Sequence, residues 1–218
     1  MKYCLNDINV SAPSNTAQSV LELTKYKFPR IIDSRELCLP TNNQGVTPHC
    51  VGFSVAGYLE VEYWKKYHYP KQFPADDIYR SAKQLDPSSE DGTTIEFGFL
   101  GAKKLNLFRG DIKTFEPWED NIKFQLHKYG IFCGAFLITD EWYDISWFTG
   151  QIKKHRKPKT LGGHAVLVCG YNEDGIFIQN SWGYNSWGKY GFAILPWELT
   201  KNQLAYGVVI DNIELTEL

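Results

Sequence analysis

The stretch Thr41 to Ser54, T-N-N-Q-G-V-T-P-H-C-V-G-F-S, opens the segment that constrains the fold most. Beyond it Val51, Val55 and Leu59 recur at four-residue intervals with Phe53 and Ala56 beside them, and charges return only from Glu60 onward. A helix with that pattern is buried at its Cys50 end, so other elements must be built around it. Thr47 is predicted to be its N-cap, with Pro48 at the first helical position and Cys50 two residues further in. Unpaired backbone N–H groups and the positive end of the helix dipole favour a thiolate at such a place, and the thiolate is the nucleophilic form. Gln44 lies six residues upstream, across a Gly45-Val46 turn that can fold its amide back to stabilise a developing oxyanion. The alternative is a buried structural cysteine at a helix start.

Composition narrows the classes. The chain has 218 residues, 43% of them hydrophobic and 15% aromatic, with a formal net charge of -2. Such a chain buries about 70% of its unfolded surface without disulfide support. It carries no sign of disorder, a membrane span or a nucleic-acid footprint. The five cysteines (Cys4, Cys38, Cys50, Cys133, Cys169) are odd in number and lack zinc-site spacing, which points to free thiols in a reducing, cytoplasm-like compartment and to no bound metal. No apolar run at the N-terminus reads as a signal peptide. All the cysteines but Cys50 read as structural.

Residues 1–30 read as an arm or linker, whose apolar part from Val20 to Phe28 is expected to brace the β-rich half through Leu21, Leu23 and Phe28. Pro70 and Pro74 end the central helix, Ala75 to Gln84 reads as a second helix, Asp86 to Gly92 as a turn-rich loop, and Thr93 to Leu105 as a third helix. From Asp111 the character changes. A helix is expected over Trp118 to Tyr129 and a strand over Gly130 to Thr139, and most of the C-terminal third reads as β. Lys153, Lys154, Arg156, Lys157 and Lys159 read as a solvated loop, with the steering of acidic substrates as the alternative; the net charge argues against nucleic acid.

Ala165 to Tyr171 and Ile176 to Gln179 are predicted to pair around an N-E-D-G turn, with His164 opening the first strand and Asn180 closing the second. That register places His164 near-opposite Asn180 at the open end of the hairpin. An amide oxygen accepting from one ring nitrogen fixes the tautomer and leaves the other nitrogen for a thiol. His49 is next to Cys50 in sequence, but helix neighbours point about 100° apart, so it reads as a rim residue rather than the base.

With Gln44, Cys50, His164 and Asn180 in hand, the chain resembles the papain-like cysteine peptidases. Four segments carry the likeness: N-Q-G at 43–45 with C-V-G-F-S at 50–54, D-G-T-T-I at 91–95, G-G-H-A-V at 162–166, and N-S-W-G-Y-N-S-W-G-K-Y-G at 180–191. The resemblance implies an α+β, two-lobed fold with the active site in the cleft. The arm would occupy 1–30, a helical lobe about 36–110, and a β-rich, barrel-like lobe about 111–218. By the same resemblance Gln44 is the oxyanion donor, Cys50 the nucleophile, His164 the base and Asn180 its orienter. Trp182 would shield the His–Asn bond, Trp187 wall the far side of the scissile bond, and Gly92 with Thr93 hold an extended substrate. Gly163 leaves the floor of the specificity pocket without an acid. The two tryptophans have ordinary core packing as their alternative.

The departures from the family pattern are as specific. Val51 replaces the usual tryptophan, His49 a small residue, and Thr47 stands where secreted members carry a disulfide cysteine. The 114 residues from Cys50 to His164 are fewer than the roughly 130–150 of papain and cathepsins, as in compact microbial or viral members. About thirty residues precede I-I-D-S-R-E, too few for the family's usual inhibitory propeptide. The expected activity is that of a monomeric endopeptidase acting on peptide or protein substrates, without cofactor, membrane or nucleic acid, restrained by an inhibitor protein, by delivery into a host cell or another compartment, or by narrow specificity. The alternatives are a peptide-binding module that has lost turnover, and acyl transfer or isopeptide cleavage by the same residues.

Overall fold

The structure is a computed structural model that describes residues 26–216. The expected arm residues Leu21 and Leu23, and Cys4, lie outside the described residues. After a short strand, β1 (Ile32–Asp33), the chain forms α1 (Cys50–Tyr67), α2 (Ala75–Lys83) and α3 (Ile95–Lys104). It then runs through β2 (Phe108–Phe115), α4 (Glu119–Tyr129), β3 (Phe132–Thr139), β4 (Thr160–Tyr171), β5 (Gly175–Gln179), β6 (Phe192–Pro196), α5 (Trp197–Gln203) and β7 (Leu204–Leu215).

The central helix starts later than its sequence suggests. Its N-cap is His49, and Cys50 is the first helical residue. Thr47 is not the cap because its hydroxyl donates to the carbonyl of Gln44 at 2.6 Å, and Thr47 N–H donates to that same oxygen at 3.2 Å. Thr47 therefore closes the 44–47 turn, and the helix cap moves two residues on, to His49. The helix ends at Tyr67, with His68 in the left-handed region (φ 53°) and Pro70 two residues further along. The third helix is capped as its sequence allows: the Thr94 hydroxyl accepts from Phe97 N–H at 3.3 Å.

Helix α1 is held from two sides. Against α2 and α3, close approach is made through glycines: a Cβ on Gly52 would lie 2.2 Å from the Ala75 carbonyl oxygen, and one on Gly98 would lie 2.5 Å from Val51 Cγ1. Against the sheet, Val55 and Leu59 join Ala135, Ala165, Leu167, Cys169 and Val208 in one buried cluster. The opposite sheet face packs a second cluster, in which Val166, Val168 and Ile178 meet Ile122 and Leu126 of α4, Leu199 of α5, and Trp142. Alternation along β4 sorts its side chains between these clusters, as a strand buried on both faces requires.

The sheet is antiparallel, in the order β2-β7-β3-β4-β5-β6, with β1 added against β4. It is an open sheet and not the barrel-like closure expected from the sequence: β2 and β6 stand at its two ends without pairing to each other. Strand β2 was not anticipated, because F-R-G-D-I-K-T-F carries charges on one face and a glycine at a register shift between Arg109 and Asp111. The hairpin of β4 and β5 turns at N-E-D-G, where Asn172 Oδ1 accepts from Asp174 and Gly175 N–H at 3.0 and 3.2 Å. Strand β4 starts at Thr160, so His164 lies inside it, opposite Phe136 of β3, instead of opening it. The reason is the neighbour: β3 reaches Thr139 and pairs with Gly162 and Gly163, which a two-strand hairpin alone would leave unpaired.

At the near end of the described chain, Tyr26 packs on Phe28, Phe124 and His127, and Tyr171 Oη donates to the Pro29 carbonyl at 2.6 Å. Phe28 is thus linked to α4 of the β-rich half through the Tyr26 ring.

Candidate active site

Two segments are joined at the start of α1, and a third is linked to the second through Asn180 and Trp182. The first runs from Asn42 to Cys50. Gly45 adopts φ +60°, and its N–H is held by Asn43 Oδ1 at 2.9 Å, so the turn reverses the chain before the helix begins. The second segment, 180–183, is tied to the first by main-chain bonds: Gln44 N–H to the Ser181 carbonyl at 2.8 Å and Gly183 N–H to the Asn42 carbonyl at 3.1 Å. Asn43 and Trp182 form a β-bridge there. The third segment is the part of β4 around His164, and α1 packs across this strand.

Cys50 and His164 are both fully buried. The first main-chain bond of the helix that engages its cap is Phe53 N–H to the His49 carbonyl at 3.1 Å. The N–H groups of Cys50, Val51 and Gly52 precede that bond and have no i−4 partner within the helix. A negative charge developing at Cys50 therefore meets the positive end of the dipole.

His164 Nε2 donates to Asn180 Oδ1 at 2.7 Å. The register of β4 and β5 aligns Leu167 with Gln179, so Asn180 reaches His164 across a diagonal rather than from directly opposite. With Nε2 committed, Nδ1 is the nitrogen that carries the lone pair in the neutral ring, and it is buried without a hydrogen-bond partner in the protein. Burial pushes the His164 imidazole down to about 4, and the bond to Asn180 opposes that shift only in part. The ring is therefore neutral, and a poised acceptor, unless an anion is created beside it.

Gln44, 3% exposed, has its amide fixed at both ends. Nε2 donates to the Thr47 carbonyl at 2.8 Å and Oε1 accepts from Ser181 Oγ at 2.5 Å, which leaves the second amide hydrogen uncommitted. Ser181 was missed in the sequence reading. It sits between two singled-out residues, but its role depends on Gln44, 137 positions away.

Trp182 lies over the imidazole, with ring centroids 4.9 Å apart. Tyr143 stacks on its outer side at 5.4 Å, and Trp142 and Trp187 complete the enclosure. Trp187 Nε1 donates to the Trp142 carbonyl at 2.7 Å, and Trp142 Nε1 to Gln203 Oε1 at 2.7 Å. Neither Tyr143 nor Trp142 carried a local motif. Behind Asn180, a cavity of about 30 Å³ is lined by Ser54, Glu60, Asn180 and Ser181 among others, which is room for a water or two. Ser54 Oγ and Asn180 Nδ2 are the buried polar atoms left unpartnered around it.

The remaining expected residues are dispersed around this core. Gly92 is buried, its carbonyl accepting from Lys83 Nζ at 3.0 Å, and Thr93 follows it into the start of α3 with its hydroxyl buried and unpartnered. Gly163 pairs with Leu137 one residue before the histidine. His49 is drawn away from the thiol: Nδ1 bonds Asp76 Oδ1 at 2.6 Å and the ring stacks on Tyr79 at 4.0 Å. No disulfide joins Cys38, Cys50, Cys133 or Cys169. Burial pushes the Cys133 thiol up to about 12 and raises that of Cys169. In the basic loop, Lys153 pairs with Asp144 and Lys154 with Glu198, so part of its charge is neutralised locally.

No family model matches the chain. The gut-specific cysteine proteinase of Caenorhabditis elegans is 33% identical over 76 residues, which cover 33% of this chain and 22% of that protein. The match therefore spans about a fifth of the relative's length. Among solved structures, xylellain, a cysteine protease from Xylella fastidiosa, is similar with a TM-score of 0.69 and 19% identity over 96% of this chain and 94% of that one. The proCathepsin B S9 of Trypanosoma congolense gives 0.70 and 15% over 96% and 86%. The digestive procathepsin L 3 of Tenebrio molitor larval midgut gives 0.66 and 14% over 96% and 75%. These likenesses show a papain-like, two-lobed α+β fold.

Proposed function

We propose that the chain is a cysteine peptidase that cleaves peptide bonds through Cys50, His164, Asn180 and Gln44. The observation that carries the reading is the His164–Asn180 bond: it uses Nε2 and leaves Nδ1 buried and unpartnered on the strand that the Cys50 helix crosses. A ring fixed in this way has one function left to it, to accept and return a proton.

In the proposed reaction His164 Nδ1 takes the Cys50 proton, and the sulphur attacks the substrate carbonyl carbon. The second amide hydrogen of Gln44 and the Cys50 backbone N–H hold the oxygen as it gains charge. The carbon–nitrogen bond breaks as the imidazolium protonates the leaving amine, which leaves a thioester on Cys50. Water then adds to that carbonyl, giving its proton to His164, and the carbon–sulphur bond breaks to release the acid and restore the thiol. Trp182 keeps solvent off the imidazole and its amide partner, where competition from water would weaken the orienting bond.

The departures at 49 and 51 do not favour the binding-module alternative. His49 is held by Asp76 and Tyr79, and Val51 fills the space left by Gly98, so each has a packing reason of its own.

The reading is tested by labelling with an electrophilic peptide at pH 6, read by mass spectrometry. Cys50 is expected to be modified much faster than Cys4, Cys38, Cys133 and Cys169, and the rate to collapse in His164→Ala. Gln44→Ala is expected to lower turnover by roughly 10²–10³ with little change in peptide affinity. Equal labelling of the five cysteines, with peptide binding retained, would establish the binding module instead. Product transfer to an added amine in preference to water would establish the acyl-transfer alternative.

A further inference from the structure

The bond between His164 and Asn180 depends on which way round the Asn180 amide is set. With Oδ1 toward the ring, His164 Nε2 carries the hydrogen and Nδ1 the lone pair. A half-turn of the same amide would present Nδ2, and the ring would have to answer with a lone pair on Nε2 and the hydrogen on Nδ1. The two settings are nearly identical in shape, so packing barely distinguishes them. What separates them is the chemistry that the outward half of the amide meets.

That half has no hydrogen-bond partner in the protein. Asn180 is 1% exposed, and its Nδ2 is buried and unsatisfied. The cavity of about 30 Å³ that Asn180 lines is walled by α1 through Ser54, Gly57 and Glu60. Cys50, Ser54 and Gly57 follow at i, i+4 and i+7, so the helix face that begins at the thiol runs on into this wall. Ser54 Oγ is buried and unsatisfied in the same way. Glu60 is 5% exposed, and the Phe73 N–H donates to its Oε1 at 3.2 Å. The wall is hollow at residue 57 because glycine has no side chain to fill it.

We infer that a water in this cavity accepts from Asn180 Nδ2 and donates to Ser54 Oγ and to the second carboxyl oxygen of Glu60, which makes Ser54 and Glu60 positioning residues for the His164 tautomer. Three polar partners are what a buried water ordinarily finds. Once both of its hydrogens are given to acceptors, only lone pairs are left for the amide, so Asn180 must present an N–H to the cavity and its oxygen to His164. The Ser54 hydroxyl can serve in either sense, but an ionised carboxylate only accepts, so Glu60 sets the direction of the relay. On the peptidase reading, on which this rests, the consequence falls on the far nitrogen of the ring: Nδ1 is kept free of hydrogen and able to take the proton of Cys50.

The tautomer can be read directly. In the full chain carrying Cys50→Ala and ¹⁵N-labelled histidine, the ring nitrogens of His164, assigned by their loss in His164→Gln, are recorded by NMR at pH 8, above the value of about 7 to which burial pushes Glu60. The hydrogen is expected on Nε2. Adding Glu60→Gln is expected to move it to Nδ1 in roughly half of the molecules or more, because the Phe73 N–H keeps the new amide's oxygen and turns its N–H groups to the cavity. With Cys50 restored, Glu60→Gln is expected to lower kcat roughly tenfold or more and to leave KM unchanged. Gly57→Ala is the second variant: its methyl takes the place of the water, alanine favours the helix over glycine, and the new Cβ would stand 3.5 Å from Leu167 Cδ2, an ordinary contact. Its melting temperature is therefore expected to hold while kcat falls and the tautomers mix. Hydrogen kept on Nε2 in both variants, or a fall in kcat without a change of tautomer, overturns the inference. Electrophile labelling at Cys50 of the native chain judges the peptidase reading without either variant, so the two failures are told apart.

Discussion

Two buried ionisable side chains near Asn180 pull the pH dependence of stability in opposite directions. His164 is pushed down to about 4 by burial, whereas Glu60, beside the small cavity, is pushed up to about 7 by burial, with the Phe73 N–H at 3.2 Å opposing only part of that shift. Between about pH 4 and 6.5 the unfolded chain binds a proton at His164 that the folded chain refuses, so this residue makes stability rise with pH. Between about pH 4.5 and 7 the folded chain keeps a proton on Glu60 that the unfolded chain has lost, so this residue makes stability fall with pH. Each contribution is on the order of 3 kcal/mol across its window. In the overlap they nearly cancel. Denaturant titrations from pH 4.5 to 6.5 are expected to give a shallow profile for the native chain and a clear rise with pH for Glu60→Gln. A profile for Glu60→Gln that stays flat would mean that His164 is not held neutral by its surroundings. Gln44 offers a second check at this scale: Ser181→Ala removes the bond to its Oε1 and is expected to reduce turnover by about tenfold while substrate affinity holds, a split that separates loss of orientation from loss of binding.

Among elements, the contact of α1 with α3 gives Val51, the residue after Cys50, a packing reason. Gly98 lets the helices approach until Val51 lies where a Gly98 Cβ would be, so Gly98→Ala is expected to cost about 1–3 kcal/mol through overpacking. Val51→Ala in the same chain should return much of it, and a double-mutant cycle by thermal or chemical unfolding measures the coupling. The helices themselves were legible in sequence, since the Val51, Val55, Leu59 spacing and the prolines at 70 and 74 are local signals. So was the pairing of His164 with Asn180, because a hairpin turn fixes a register. The start of α1 was not legible: whether Thr47 caps a helix or closes a turn depends on Gln44, which is itself held by Ser181 from the far end of the chain. The extra length of β4 and the existence of β2 were hidden for the same reason, as each is determined by a partner strand and not by its own residues.

For the molecule as a whole, the bridge between 42–44 and 181–183 joins the two halves at the candidate site itself. The amides of Gln44 and Gly183 are therefore expected to exchange with solvent as slowly as those at the centre of β4, and the chain to melt in one transition; early exchange at these two amides in native-state hydrogen exchange would show that the halves part before either unfolds. The open sheet leaves its two ends to be protected by different means. At one end the 150–152 backbone lies along β6 and takes up its bonds with Ile194. At the other, β2 turns Arg109, Asp111 and Lys113 to solvent around a register shift at Gly110. A bulge and a row of alternating charge make a poor template for another strand. The corollary concerns colloidal behaviour: replacing Arg109 and Lys113 with valine leaves the core and the candidate site untouched, yet should turn a free-standing edge into a nucleus for sheet-to-sheet association, visible by light scattering as growth with concentration that the native chain does not show.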